Sequence, residues 1–558
     1  MPKDTFLPPA PAVRWEPPTP DSAWIRRQVV EHMPEPLSPL FAELYLHEGL
    51  ERSLEAMQEA MGIPRNFYDS IMDRPFFTTV NGYAYLRGNL NTRWWTIPLV
   101  IPAMAVGVTK LLRNAGITYW RDDGLPSYLA TIKAWKALDR SAATDEQLLR
   151  GIRELAWADA RYWFACALAV GTAKVTDTLL DRFLSIAARG RGLSSGVFLR
   201  GFSSKTLDAQ ADLEAIAARI RDSATLRALV DATPAQSLLD ALAGAPDGRT
   251  VYAALHDYLD HYGHQIYNLD FAAPTQADDP LPVLVSLKAM VQRPACDVRA
   301  RQVEMERDRE TLAAQTWWSF DPLRRSLFHL FLRGALYFGP YREEALFYVG
   351  AGWPTLRRLA YELGRRLCEA GSLGAPDDVF YLQSGELVAA SAARAASESR
   401  PDLASLVHER RTLREAQTRL HPPPAVPPTF SYKLGPIDLS GRESQRRNAA
   451  DGPTLRGFAV SPGRVTAPAS VIRAPADFAK MEPGTILVCP STTPAWTPLF
   501  AQARGLVTDI GGILAHGSII AREYGIPAVM GTGSATQRIA SGQQVTVDGD
   551  AGIVTIIA

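Results

Sequence analysis

The chain has 558 residues, 47% of them hydrophobic and 21% charged, which suits a folded protein of more than one domain. Its 59 acidic and 59 basic side chains balance, so neither a nucleic-acid binder nor a membrane-surface protein is expected. The four cysteines, Cys166, Cys296, Cys368 and Cys489, lie far apart without metal-ligand spacing and suit a reducing compartment.

Residues 1–22 are rich in proline and read as an irregular arm, without the apolar core of a signal peptide. The run Ile97 to Val108 contains two prolines and is shorter than the roughly 20 residues needed to span a bilayer. A cytoplasmic protein with no membrane partner is therefore the expectation. PEPLSPLFAELYLHEGLERSLEAMQEAMG, within 24–66, reads as a turn followed by a helix. FFTTVNGYAYLRGN (Phe76 to Asn89) alternates like a strand and contains the turn pair Asn81-Gly82. Its tyrosines Tyr83 and Tyr85 either line a pocket or pack as strand aromatics.

From Thr144 to Ala243 the pattern is helical. Thr144, Ser223 and the pair Thr233-Pro234 are N-cap candidates before apolar runs, and Trp157 to Cys166 reads as a core helix. Residues 251–280 gather His256, His261 and His264 with Asp257, Asp260 and Asp270. No two of these histidines stand at i, i+4, and no metal is assigned to them. Residues 297–318 form a helix with opposite charges at three- and four-residue spacing, which reads as a solvated face. After Val407 the chain turns polar, and HPPPAVPP (His421 to Pro428) opens a proline-stiffened linker.

The stretch LVTDIGGILAHGSIIAREYGIPAVMG (Leu506 to Gly531) carries the chemistry. Gly505 to Thr508 reads as a buried strand, and Gly511 and Gly512 allow a tight turn. A helix over about 515–524 follows, with Gly525 at its C-cap and Pro527 beyond. His516 thus falls in the first turn of a helix, where free N–H groups and the positive dipole end attract phosphate. Position alone also allows a solvated cap or a packed ring. Thr508, Gly511, Gly512 and Ser518 are candidate phosphate-stabilising positions around it.

This string resembles the phosphohistidine swivelling domain of PEP-utilising enzymes, a family that includes PEP synthase, pyruvate phosphate dikinase and rifampin phosphotransferase. The likeness extends through LRGFAVSPGRVTAPASVI (Leu455 to Ile472), PGTILVCPSTTPAWTPLF (Pro483 to Phe500) and SGQQVTVDGDAGIVTI (Ser541 to Ile556). Ala515 stands where many members have Ser, Thr or Cys. Leu327 to Ala390, with its D-D-V-F-Y-L ending at Asp377 to Leu382, resembles the helical part of rifampin phosphotransferase. There Arg342-Glu343 matches the start of an R-E-x-x-K segment near the acceptor site, with Leu346 at the lysine position. Arg342 either holds a phosphate or pairs with Glu343 or Glu344. Tyr262-Gly263 and His264 partly match Y-G-x-R followed by E-x-D, with Gln265 in place of the arginine, Asn268 in place of the glutamate and Asp270 at the aspartate.

The resemblance implies a multidomain α and α/β protein. It would comprise an arm (1–22), a mainly helical acceptor domain (23–420), a linker (421–454) and a β/β/α swivelling domain (455–558). It implies a phosphotransferase of the dikinase type in which His516 becomes phosphorylated and passes the group to a hydroxyl. The sequence has no Gly-Lys dipeptide and hence no P-loop. Full-length members of the family carry an ATP-grasp domain that the likeness does not include, so the resemblance implies ATP and Mg²⁺ on a separate ATP-grasp subunit, an arrangement that resembles phenylphosphate synthase. An aromatic hydroxyl is the expected acceptor, with an antibiotic or other alcohol as the alternative; a phosphocarrier or scaffold that is not an enzyme is the third reading. On the acceptor side, Arg342 and Glu343 are expected to stabilise phosphate, and Tyr83 and Tyr341 to line the pocket. His264, oriented by Asp270, either serves as the base or is a structural histidine.

Overall fold

The computed structural model describes residues 13–20, 22–26, 32–55, 74–88, 116–190, 193–199, 201–202, 204–294, 297–396, 402–420, 422–430, 433–434, 437–438, 452–512 and 515–557. Cys296, the pair Trp94-Trp95 and the run Ile97 to Val108 lie outside them. Thr144 accepts from the Gln147 amide at 3.2 Å while the Gln147 side chain accepts from the Thr144 amide at 2.8 Å, a reciprocal N-cap. Helix α1 runs from this cap over Asp145–Ala187, so the Trp157 to Cys166 segment is part of a 43-residue helix.

The chain divides into two units, and the boundary falls within α1. One unit holds Met1–Ala165, Asn268–Ala273 and Gly350–Glu443; the other holds Cys166–Tyr267, Pro274–Val349 and Ser444–Ala558. The expected single helical domain over 23–420 is thereby split, and its middle part groups with the C-terminal sheet.

In the first unit, Phe77–Val80 and Tyr83–Arg87 form a hairpin that pairs onward with Trp24–Ile25 and then Ala425–Val426, all antiparallel. Ala425–Val426 belongs to the stretch expected to be a linker. Its pairing places that proline-rich segment at a sheet edge, where a residue without N–H is tolerated. Trp24, Val80, Tyr83, Tyr85, Leu420 and Val426 make the core beneath the sheet. The Tyr83 hydroxyl donates to the carbonyls of Gln417 (2.8 Å) and Leu420 (3.2 Å), and Arg26 stacks over its ring. Tyr83 is thus a packed strand aromatic rather than a pocket wall.

Asp270 is fully buried in this unit. It accepts from the Ser38 amide and hydroxyl (2.6 and 2.8 Å), the Ala272 amide (2.9 Å) and Arg414 (3.2 Å). Segment 268–273 is held further by Trp353, which donates to the Leu269 carbonyl, and by Arg357, which donates to the carbonyls of Phe271 and Ala272.

In the second unit, helices α2 (Lys205–Arg221), α3 (Arg249–Tyr262) and α4 (Leu281–Gln292) pack around Leu213, Ile216, Ile220, Leu255, Val283 and Leu287. Helix α5 (Val298–Trp318), capped by Asp297, and α6 (Pro322–Phe347), capped by Asp321, follow. Phe183 of α1 meets Phe320, Phe328 and Phe331.

The C-terminal part is an eight-stranded mixed sheet. Its strands are β1 (Thr454–Arg456), β2 (Phe458–Ser461), β3 (Arg464–Val471), β4 (Ile486–Cys489), β5 (Gly505–Thr508), β6 (Ala528–Met530), β7 (Gln544–Asp548) and β8 (Ile553–Ile556), in the order β1-β8-β7-β3-β4-β5-β6-β2. β3 to β6 run parallel, and the remaining pairings are antiparallel. The parallel strands are buried on both faces. Ile486, Val488, Val507 and Val529 enter one core, whereas Leu487, Cys489, Leu506, Ala528 and Met530 enter the other. Helix α7 (His516–Tyr524) lies over the second core through Ile520 and Ala521. Among the described residues, no helix is long and apolar enough to cross a membrane.

One buried carboxylate fixes the chain around Gly350. Asp159 accepts from the Tyr45 hydroxyl (2.9 Å), the Tyr128 hydroxyl and the Gly350 amide (2.8 Å). Burial pushes its carboxyl up to about 6, against the pull of those three bonds. A folded-state value raised in this way favours folding at low pH, and the benefit is lost as pH rises from about 4 through about 6. Urea titrations of wild type and Asp159→Asn should therefore show a stability difference that moves against the wild type by on the order of 3 kcal/mol over that window. A difference independent of pH would show that Asp159 is ionised like an exposed carboxylate.

Candidate functional site: a histidine at a helix start

The parallel strands β4 and β5 end beside one another, and the loops that leave their C-terminal ends build the site, as is general for open α/β sheets. After β5 the chain turns through Gly511 and Gly512. Ala515 is extended (ψ 153°), and α7 begins at His516. Ala515 has no polar side chain to cap the helix. The Ser518 amide turns back to the Ala515 carbonyl at 3.0 Å, while the amides of His516 and Gly517 have no cap among the described residues, the arrangement that suits an anion. Gly525 at φ 62° closes the helix in the left-handed conformation that glycine adopts freely. A side chain at Gly517 would come within 2.3 Å of the Thr492 hydroxyl, so glycine lets the first turn of α7 lie against the loop after β4.

His516 is only 8% exposed. Its Nδ1 lies 3.2 Å from Oε2 of Glu343 on α6, and its Nε2 lies 3.4 Å from the Thr497 hydroxyl. A carboxylate only accepts, so Nδ1 carries the proton and Nε2 presents its lone pair. Glu343 is itself 8% exposed. Burial alone would raise its carboxyl, but the His516 bond, the His516 ring and the charges of Arg342 and Arg522 outweigh it, and the group sits below the ordinary glutamate value.

The expected site residues separate into those at the histidine and those elsewhere. Arg342 and Glu343 are both at the site, but Glu343 orients the ring instead of meeting phosphate, because a carboxylate offers an anion no donor. The Thr508 hydroxyl donates to the Ile510 carbonyl (2.7 Å) and that of Ser518 to the Gly512 carbonyl (2.6 Å). Both hold the loop backbone. Tyr341 precedes Arg342 on α6 and packs against Tyr337. His264 lies with Nε2 3.0 Å from the Phe347 carbonyl and has the His261 backbone as a second partner. Burial, opposed by these bonds, pulls its ring down to about 4. The His264 ring is thus tied to the Phe347 carbonyl as a structural contact, and Asp270 is committed to Ser38, Ala272 and Arg414. Sequence reasoning missed Thr497 and Arg522, although both lie within the blocks that carry the family likeness.

Residues 481–552 match the mobile domain of PEP-utilising enzymes, and residues 167–343 match the fourth domain of rifampicin phosphotransferase. Two segments of the chain are thus similar to domains that PEP-utilising enzymes and rifampicin phosphotransferase carry. It is 31% identical to a rifampicin phosphotransferase from Streptomyces sviceus over 57% of this chain and 36% of that protein. It is 30% identical to the prodigiosin synthesizing transferase PigC of Serratia marcescens over 80% of this chain and 49% of that protein. Likeness to the uncharacterized phosphotransferase YvkC of Bacillus subtilis is 27% over 69% and 46%. The chain spans about half or less of the length of these relatives.

The His516–Glu343 contact makes a stability prediction. His516→Ala leaves a buried carboxylate without its ring donor and should cost about 2 kcal/mol in urea unfolding at pH 7. Glu343 has a depressed value in the wild type, so its contribution is present above the ordinary glutamate range and is lost as pH falls. The deficit should shrink towards pH 4. A deficit constant from pH 4 to 8 would mean the pair carries no net charge interaction.

Proposed function

We propose that the protein is a phosphotransferase in which His516 carries the phosphoryl group on Nε2 and delivers it to a hydroxyl of a small molecule. The observation that supports this most is the Glu343 bond to Nδ1, which fixes the tautomer and leaves Nε2 as the nucleophile at an uncapped helix start. Glu343 keeps the Nδ1 proton in place, so that the ring leaves as neutral imidazole when the N–P bond breaks. Arg342 and the first N–H groups of α7 hold the phosphoryl oxygens, and positioning with charge stabilisation supplies most of the rate. The donor is ATP with Mg²⁺, bound by a separate ATP-grasp subunit that forms AMP and phosphate. An aromatic hydroxyl is the acceptor this reading favours, supported by the aromatic run Tyr337, Phe338 and Tyr341 on α6 within two turns of Glu343.

Intact mass after incubation with Mg-ATP and a lysate of the source organism tests the first half. Wild type should gain one acid-labile phosphoryl group and His516→Ala none; gain by neither with any lysate fraction would sink the reading. Glu343→Gln should still load, about tenfold or more slowly, because an amide can present its N–H to Nδ1 and select the wrong tautomer. Loading at the wild-type rate would remove Glu343 from the mechanism.

A further inference from the structure

One buried hydroxyl at the site is committed to nothing but the histidine ring. Thr497 opens the short helix Thr497–Phe500 and is 3% exposed. Its Oγ1 lies 3.4 Å from Nε2 of His516, and that ring is its only side-chain partner among the described residues. Nearby hydroxyls are taken by backbone instead: Thr493 donates to the Ile266 carbonyl (2.8 Å), Thr508 to that of Ile510 and Ser518 to that of Gly512. With the ring proton on Nδ1 against Glu343, Nε2 can only accept, so Thr497 is the donor of this pair. A separation of 3.4 Å is long for such a bond, and the lone pair of Nε2 stays open to attack. A buried donor so weakly engaged costs free energy unless a ligand takes it up.

The neighbours of Thr497 hold the hydroxyl in place. Trp496 before it and Leu499 and Phe500 after it are all in the core beneath α7. Trp496 packs on Phe478 with ring centroids 4.8 Å apart, and Phe500 lies 6.3 Å from Tyr524 of α7. Pro494 and Pro498 fix the backbone on either side, and a β-branched side chain between them has few rotamers.

We propose that Thr497 is a phosphoryl-binding residue, whose hydroxyl donates to Nε2 in the free protein and to a phosphoryl oxygen while the group enters or leaves that nitrogen. The proposal rests on the phosphotransferase reading above. The oxygens of a group bonded to Nε2 surround that nitrogen, so a hydroxyl beside the nitrogen is beside them as well. On loading, the Nε2 lone pair forms the N–P bond, and the bond from phosphorus to its leaving group breaks with its electron pair going to that group. Thr497 keeps its proton throughout and acts only as a donor to the charge spread over the phosphoryl oxygens.

The experiment loads the full chain with phosphoramidate, from which ammonia leaves with the electron pair of the broken N–P bond. The acid-labile gain of one phosphoryl group is followed by intact mass. Thr497→Val, which has nearly the same shape, should load about tenfold or more slowly than wild type. Its Tm should not fall, because the lost hydroxyl strands no backbone partner. Thr497→Ser and Thr497→Ala both lack the methyl group and differ only in the hydroxyl. The serine variant should therefore load about tenfold or more faster than the alanine variant, whatever either does to Tm. Loading of Thr497→Val at the wild-type rate, or equal rates for the serine and alanine variants, would overturn the assignment. A wild-type chain that does not load, or a His516→Ala chain that does, would instead overturn the phosphotransferase reading itself.

Discussion

The hydrogen bond between His516 and Glu343 joins residues 173 apart in sequence, and the rest of the site depends on it. It can form only if α6 presents Glu343 at the start of α7, and only if the carboxylate stays charged while almost completely buried. Burial disfavours that charge. The fold answers with cations on both sides of the contact, since Arg342 follows the same helix as Glu343 and Arg522 follows the same helix as His516. A histidine placed this way has no free choice of tautomer.

The sheet explains why the histidine is where it is. Strands β4, β5 and β6 are buried on both faces, so their ladders are complete and rigid. Irregular backbone is then confined to the ends, and the loops after β4 and β5 meet at the same end because the strands are parallel. The loop after β4 brings Thr492 and Thr497, and the loop after β5 brings the glycine turn and α7. Arg301 donates to the Tyr524 carbonyl, Arg293 to the Ala501 carbonyl (2.7 Å), and the Gly201 amide to Glu523 (3.2 Å). These contacts seat the sheet part against the helical part within one unit, each pairing one side chain (Arg301, Arg293 or Glu523) with a backbone atom of the other part.

What was legible in the sequence was what local chemistry decides. The strand at Gly505 to Thr508, the cap at Thr144 and the helix end at Gly525 each follow from a few adjacent residues, and the structure has them at those residues. What was not legible depended on distant partners. Arg342 and Glu343 could be picked out as a pair, but nothing nearby says that the glutamate would face a histidine ring instead of a phosphate. His264 and Asp270 are six residues apart and invite pairing, yet Ser38 and Arg414 claim the aspartate within a different unit. The prolines after His421 suggested a tether from composition, while Val426 pairs with Trp24, 402 residues earlier by subtraction of the two positions.

The departure at Leu346 is explained by the same charge arrangement. Where the resembling family places a lysine one turn beyond its arginine, this chain has an apolar side chain, so α6 offers one cation at that position. Arg522 supplies a second from α7, and the charges of both arginines help hold Glu343 below the ordinary glutamate value. The two cations differ in one respect that a lysine on α6 would not reproduce. Any movement of α7 carries Arg522 along with His516, while Arg342 and Glu343 stay together on α6. Arg342 is therefore met by α7 only where Glu343 also takes Nδ1. Charge neutralisation and ring orientation are thereby completed in the same place, which is the condition for a transfer step that runs on positioning and electrostatics.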